Sequence, residues 1–520
     1  MVNRRTFIQQ TLTAGTALLV PRAGATGAPA IVLAQQTLPS MPQGVAVGDV
    51  ADGRAVMWSR ADRPARMFVE YSTTASFRDV RRVRGPAALE SSDFTARVLL
   101  DELPDGQRMF YRVLFQDLTD LRRWSEPSAG SFATSSASGS RNVRLAWSAD
   151  TVGQGWGINP EWGGLRLYET MRRLQPDAFI HCGDTVYADQ PLLAEVTLDD
   201  GRIWKNLVTP AKSKAAETVA EFRGNYQYNL LDDHMRAFHR EVSQVVTWDD
   251  HEVRDNWYET RDLSRDERYQ VKSTALLAAR ARQAFFEYNP IPQVATDAER
   301  IYRSVRHGAA VEIFVLDMRS YRGANTENVQ RRGAAEAALL GPSQLEWLKQ
   351  ALARSTSTWK VIASDLPIGL VVRDGPTHFE AIANAEEGAP LGREGEIADV
   401  LRFIRDRGVA NVVWITGDVH YCAAHHYDPA RARFTEFSPF WEFVAGPLNA
   451  GTFGPNELDG TFGPEVKFNG VPAGMKANRP PSEGLQFFGT LTIDGTTKAL
   501  TAALHNLEGR TLFSVELESR

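Results

Sequence analysis

Ala178-Phe179-Ile180-His181-Cys182-Gly183-Asp184-Thr185-Val186-Tyr187 is the stretch whose reading decides the fold. A run dominated by apolar residues ends at a glycine, which permits a tight exit from a strand, and the chain then offers an aspartate and a tyrosine three positions on. The same grammar recurs outward in both directions. Apolar, β-branched runs at 143–147, 244–248, 311–316, 359–363 and 412–416 lead into Asp150, Asp249 with Asp250, Asp317, Asp365 and Asp418. One aspartate after one strand means little, because Asp is a common turn former. Six in one region mean more. In an α/β sheet the carboxyl ends of the strands share an edge where ligands bind, and carboxylates gathered there repel one another unless cations sit between them.

The stretches between these runs carry helical periodicity: 164–174, 211–223, 230–242, 273–288, 343–354 and 394–407. That alternation is the mark of an α/β domain, expected over residues 141–520. Three closing strands are expected at 486–493, 499–506 and 511–517, after a Gly/Pro-rich loop over 446–484 that suits a lid or pocket rim. Ahead of all this, residues 38–135 read as a small all-β domain of fibronectin or immunoglobulin type. Short runs at 54–59, 67–71, 96–100 and 109–115 are separated there by Asp-Gly, Pro and Ser/Thr clusters. Residues 133–140, rich in Ser, Ala and Gly, read as the linker.

Composition narrows the class. Hydrophobic content of 43% and charged content of 23% are those of a folded globular chain. The formal charge of −6 and the lack of a basic stripe argue against a nucleic-acid partner. Cys182 and Cys422 are the only cysteines, too few for a disulfide scaffold, and are expected as buried free thiols. Residues 1–34 resemble a twin-arginine signal: Arg4-Arg5 precedes a short apolar run, and Val32 and Ala34 suit a signal-peptidase site. The run is too short to span a bilayer. Its removal takes three arginines and no acid, moving the charge from −6 to −9. The expectation is an exported, periplasmic or secreted protein that engages the twin-arginine machinery and has no stable membrane insertion.

Two further segments carry chemistry. Trp248-Asp249-Asp250-His251-Glu252 puts a carboxylate and an imidazole side by side after a strand, the imidazole suited to proton donation or to holding an oxyanion. Gly417-Asp418-Val419-His420 presents two ligand types at i and i+2, expected to point the same way from an extended segment. Lesser candidates are Arg254 and Asn225, either of which suits a phosphate contact, and Asp365. Trp156 is a candidate for the pocket wall, and residues 317–322 for a cluster holding the loop edge.

The ordered set Asp150, Gly-Asp-x-x-Tyr, Asp-Asp-His-Glu, Ser364-Asp365 and Gly-Asp-x-His resembles the calcineurin-like metallophosphatases, and its particular wording resembles the PhoD-type alkaline phosphatases. The resemblance covers essentially the whole chain. It implies two stacked sheets flanked by helices, and metal-dependent hydrolysis of phosphate esters by a metal-activated water. Asp184 would bridge two metals. Tyr187 and His420 would bind the first, expected to be Fe3+, and Asp250 and Asp418 the second, expected to be Ca2+. His251 would contact the phosphate or protonate the leaving group. The chain departs from the family at the first motif, where a Ser-Cys pair is usual. Trp147-Ser148-Ala149-Asp150 has no thiol, so Asp150 is the substitute ligand, and as a harder donor it leaves manganese or another divalent cation open at the first site. Two other functions remain in view: a phospholipase D-like phosphodiesterase acting on lipid headgroups, and a catalytically inactive, metal-stabilised surface-binding protein.

Overall fold

In the computed structural model residues 38–520 are described; the proposed signal at 1–34 lies outside them. A nine-stranded sheet runs in the order Thr511–Leu517, Leu500–Asn506, Phe487–Ile493, Val143–Ser148, Ala178–Cys182, Ser243–Thr247, Val45–Ala51, Arg54–Arg60, Thr95–Leu100. A seven-stranded sheet follows the order Arg303–His307, Val311–Val315, Trp359–Ala363, Val412–Thr416, Phe440–Val444, Ala423–Tyr427, Pro464–Asn469. At the centre of each sheet the strands are parallel. The two-sheet architecture implied by the family resemblance is the one observed.

Strand pleating explains why these central strands are apolar on both sides. Leu145, Trp147, Ile180, Val245, Ile313, Val361, Val413 and Ile415 point into one core between the sheets. Their neighbours Ala146, Phe179 and Val246 point the other way, into a second core with the helices Arg166–Arg173, Val219–Asn229 and Thr274–Tyr288. Phe314, Ile362 and Trp414 do the same on the far side, against Gly341–Arg354 and Glu394–Asp406. Four layers result, and no described helix is long and apolar enough to cross a membrane.

Three local expectations shift. The helix read at 211–223 begins only at Val219, because Thr218 and Glu221 form a capping box that starts it there. The stretch 446–484 is not loop throughout: Pro464–Asn469 forms the edge strand of the seven-stranded sheet. The presumed linker is no free tether either, since Ser136 is buried and its carbonyl accepts the Ala309 amide (3.2 Å).

The all-β segment forms a sandwich, with a four-stranded sheet of Arg81–Ala88, Ala65–Ser72, Arg108–Asp117 and Ser128–Ala133. Its second sheet is the end of the large one. Val45–Ala51 lies parallel to Ser243–Thr247 through the pair Gly48 and Gln244, so Leu38–Arg520 forms a single compact unit. Gly48 makes the join: a Cβ there would sit 2.3 Å from the Pro290 carbonyl oxygen and 2.8 Å from that of Gln244. Gly48→Ala is expected to cost about 1–3 kcal/mol by overpacking and to lower the thermal midpoint. Gly388→Ala, whose Cβ meets nothing nearer than 4.0 Å, is the control.

Candidate metal centre

The carboxyl ends of the central strands deliver their aspartates to one place. Asp150, Asp184, Asp418 and His420 all adopt left-handed backbone (φ +67°, +54°, +63° and +59°), a conformation that non-glycine residues hold at a cost and that clusters at functional sites. Gly183 (φ +100°) lets the Asp184 loop cross closely over Asp249, whose Cβ would lie 2.5 Å from a Cβ at 183. With both residues left-handed, Asp418 and His420 do not project together from an extended segment. They serve different groups. Asp150, Asp184 and His420 each offer a ligand atom within 4.8 Å of one another; so do Asp184, Asp250 and His251, and again Asp249, Asp250 and Asp418. Asp184 and Asp250 are thus each shared between neighbouring sets.

Tyr187 joins the first set, its hydroxyl 2.8 Å from His420 Nε2, and its ring stacks on His251 (centroids 4.2 Å apart). His420 Nδ1 lies 2.6 Å from the Gly451 carbonyl, so that nitrogen carries the proton and Nε2 presents its lone pair. Burial lowers the His420 pKa to about 4, which keeps the ring neutral. His251 behaves oppositely. Burial lowers its pKa, but Asp189, Asp250 and Asp184 outweigh that and hold it well above the ordinary value. Asp189 Oδ1 accepts from Nδ1 at 2.8 Å, and the His251 amide donates to Asp184 Oδ1 at 3.0 Å.

Behind the carboxylates stands Arg319, fully buried, within 2.5 Å of Asp249 and 3.2 Å of Asp365 and paired also with Glu380. Glu252 ties two ligand loops together: Oε1 accepts from the Thr185 amide (2.6 Å) and hydroxyl (2.7 Å), Oε2 from the Asp249 amide (2.9 Å). Asp317 accepts from the Trp248 indole (2.9 Å) and the Ser320 amide (2.9 Å), holding the loop edge as its segment suggested.

A cavity of about 220 Å³ opens over Asp184, Asp250, His251, Asp418 and His420. Asp150 and Tyr187 are buried beneath it and reach it through His420. Four sequence candidates are not brought to it. Asp365 is wholly buried against Arg319. Asn225 is buried in its helix and donates to the Glu221 carbonyl. Arg254 is buried and faces Asp266 at 3.8 Å. Trp156 packs instead with Trp204 and Leu198. The cavity also recruits Glu380, Asn256 and Asp255, which motif reading passed over. Asp255 and Asn256 stand just beyond the quoted His251 segment, whereas nothing in the sequence around Glu380 marks it. Cys182 and Cys422 are buried free thiols.

The donor set fits hard cations. Both Asp150 carboxylate oxygens and Asp249 Oδ2 are buried with no hydrogen-bond partner among the described residues, a state that is costly for a charge unless a cation compensates it. Burial, reinforced by the neighbouring carboxylates, raises the pKa of Asp150, Asp184 and Asp418 well above the usual range. Without metal, the folded chain therefore keeps protons that the unfolded chain has already released above about pH 4. Stability must then fall as pH rises from there towards the raised values. Bound metal replaces those protons and removes the slope. Chelator-treated protein is expected to lose thermal stability between pH 5 and pH 8 while metal-loaded protein does not; a gap that stays constant with pH would contradict this account.

Comparison with known proteins agrees with the geometry. Residues 145–504 match the PhoD-like phosphatase family and residues 26–136 its N-terminal domain. Alkaline phosphatase D of Bacillus subtilis (strain 168) is 27% identical over 438 residues, 80% of this chain and 70% of that protein. A solved structure of PhoD superposes with a TM-score of 0.66 at 20% identity, covering 92% of this chain and 93% of that one. A purple acid phosphatase from yellow lupin (Lupinus luteus) seeds shares the fold at TM-score 0.55 and 13% identity, covering 92% of this chain and 74% of that one. With its catalytic region and its N-terminal sandwich both matched, the chain belongs to the PhoD-like phosphatase family.

Proposed function

We propose that this protein is an exported metallohydrolase that cleaves phosphate esters, with Asp184 as the carboxylate common to two cations. Asp150, Tyr187 and His420 hold the first, and Asp250 and Asp418 hold the second. The observation that carries the reading is the chain of shared ligand sets, Asp184 grouped with Asp150 and His420 on one side and with Asp250 on the other, and Asp250 in turn with Asp418, four of these residues opening on one cavity in a chain of a phosphatase family. Cations held there would supply the Lewis acidity and charge neutralisation that hydrolysis of a phosphate ester by water needs.

The chain's own groups do the rest. His251 is fixed through Nδ1 by Asp189, which leaves Nε2 beside the cavity, placed to contact or protonate a phosphoryl or leaving-group oxygen. Tyr187 supports His251 from one face. Glu252 and Arg319 hold the ligand loops in register from behind. Ferric iron at the Tyr187 side and calcium at the Asp418 side are the expected metals. Asp150, a carboxylate where a thiolate is usual, favours a hard cation at the first position and admits manganese. Residues 1–34 direct twin-arginine export, which suits a protein that folds around metal before it crosses the membrane.

Elemental analysis of protein purified without added metal is expected to find at least two metal equivalents, and a purple colour if Tyr187 binds ferric iron. Asp184→Asn is expected to abolish hydrolysis of p-nitrophenyl phosphate and its bis ester with the fold retained by circular dichroism. Full activity in that variant would refute the assignment. Bound metal with no turnover of any ester would favour a binding protein.

A further inference from the structure

The cavity is acidic for a place that receives an anion. Asp184, Asp250, Asp255, Glu380 and Asp418 contribute carboxylates to its wall, and no lysine or arginine lines it among the described residues. Nearby guanidinium groups are committed elsewhere. Arg319 is spent on Asp249, Asp365 and Glu380. Arg261 donates to Asp374 (2.9 Å) and to the Asn256 carbonyl (2.7 Å), and Arg373 pairs with Glu457 (3.3 Å). Arg254 is turned towards Asp266.

Four of the five wall carboxylates are accounted for: Asp184, Asp250 and Asp418 by the cations they would hold, and Glu380 by Arg319. Asp255 is not. Its side chain is 51% exposed, and among the described residues its carboxylate accepts no hydrogen bond and has one ion-pair neighbour, His251 Nε2 at 3.9 Å. A phosphoryl group touching that nitrogen must lie within a few ångströms of the Asp255 carboxylate. At such range the repulsion grows with each charge on the phosphate, and water screens it only in part. A phosphomonoester dianion is penalised twice as heavily as a diester monoanion. The rest of the rim suits a diester as well: Val372, Val419 and Phe453 offer apolar surface to a second ester group, with Phe453 set edge-on to His420 (centroids 5.3 Å apart).

We propose that Asp255 makes this centre discriminate by phosphate charge, so that monoanionic phosphodiesters are turned over ahead of dianionic phosphomonoesters. The proposal rests on the phosphoesterase reading above, and the two fail differently. No turnover of either ester class sinks that reading, whereas turnover without the stated preference sinks only this one.

The test compares p-nitrophenyl phosphate with phenyl p-nitrophenyl phosphate at pH 8.5 in metal-replete enzyme. The two share a leaving group, so any change in proton donation from His251 enters both and cancels in the ratio. Wild-type enzyme is expected to show kcat/KM at least about tenfold higher for the diester. Asp255→Asn is expected to cut that ratio about tenfold. As a check independent of turnover, inorganic phosphate is expected to inhibit Asp255→Asn about tenfold more tightly than wild type, while inhibition by diethyl phosphate changes much less. A wild-type preference for the monoester, or a ratio unmoved in Asp255→Asn, would overturn the proposal. If the variant does not fold, the wild-type ratio and the wild-type ranking of phosphate against diethyl phosphate decide it, tighter inhibition by phosphate counting against.

Discussion

Mutual repulsion among buried carboxylates is the constraint around which this molecule is arranged. Parallel strands of two facing sheets end at one edge, and Val143–Ser148, Ala178–Cys182, Ser243–Thr247 and Val412–Thr416 each lead into an aspartate there. Left alone, that concentration of charge in a water-poor setting would oppose folding. Two kinds of countercharge answer it. Arg319 is a permanent one, buried within the cluster and shared by Asp249, Asp365 and Glu380. The other is exchangeable: protons when metal is absent, cations when it is present. The same balance sets both how stable the fold is and what it can bind.

The backbone contributes to the arrangement. Four candidate ligands sit at positive φ, a geometry that local sequence does not favour and that the packed layers on either side must enforce. Glycines permit the close approaches. A Cβ at Gly417 would fall 2.3 Å from that of Ala149, and one at Gly446 would fall 2.3 Å from Asp150 Oδ2. The Asp150 loop is therefore clamped between two segments far along the chain.

Much of this was legible in the sequence because burial on both faces forces a strand to be apolar throughout. Runs such as 178–182 and 412–416 stand out for that reason, and the aspartates after them are conspicuous. The rule says where a side chain leaves its strand, not which way it then turns. Asp150, Asp184 and Asp418 turn into the metal centre. Asp365 turns back to Arg319 and Asp317 to Trp248, so the same signal marks ligand and buttress alike. Arg319 was invisible as a countercharge because a buried arginine looks in sequence like any exposed one. Glu380 lies in a stretch with no periodicity to read. The continuity between the N-terminal sandwich and the large sheet rests on a single glycine-mediated pairing, which no local pattern encodes.

That pairing bears on how the chain reaches its native state. Val50 donates to Ser243 across 193 positions, and Ser148, two residues before Asp150, donates to the carbonyl of Phe487 across 339. A topology so rich in distant contacts folds slowly, since long loops must close before strand pairing rewards them. The strand that leads to Asp150 has no neighbour on one side until Phe487–Ile493 has been synthesised. Assembly of the carboxylate cluster is thereby a late event in biosynthesis, because the sheet around Asp150 is incomplete until that strand is made.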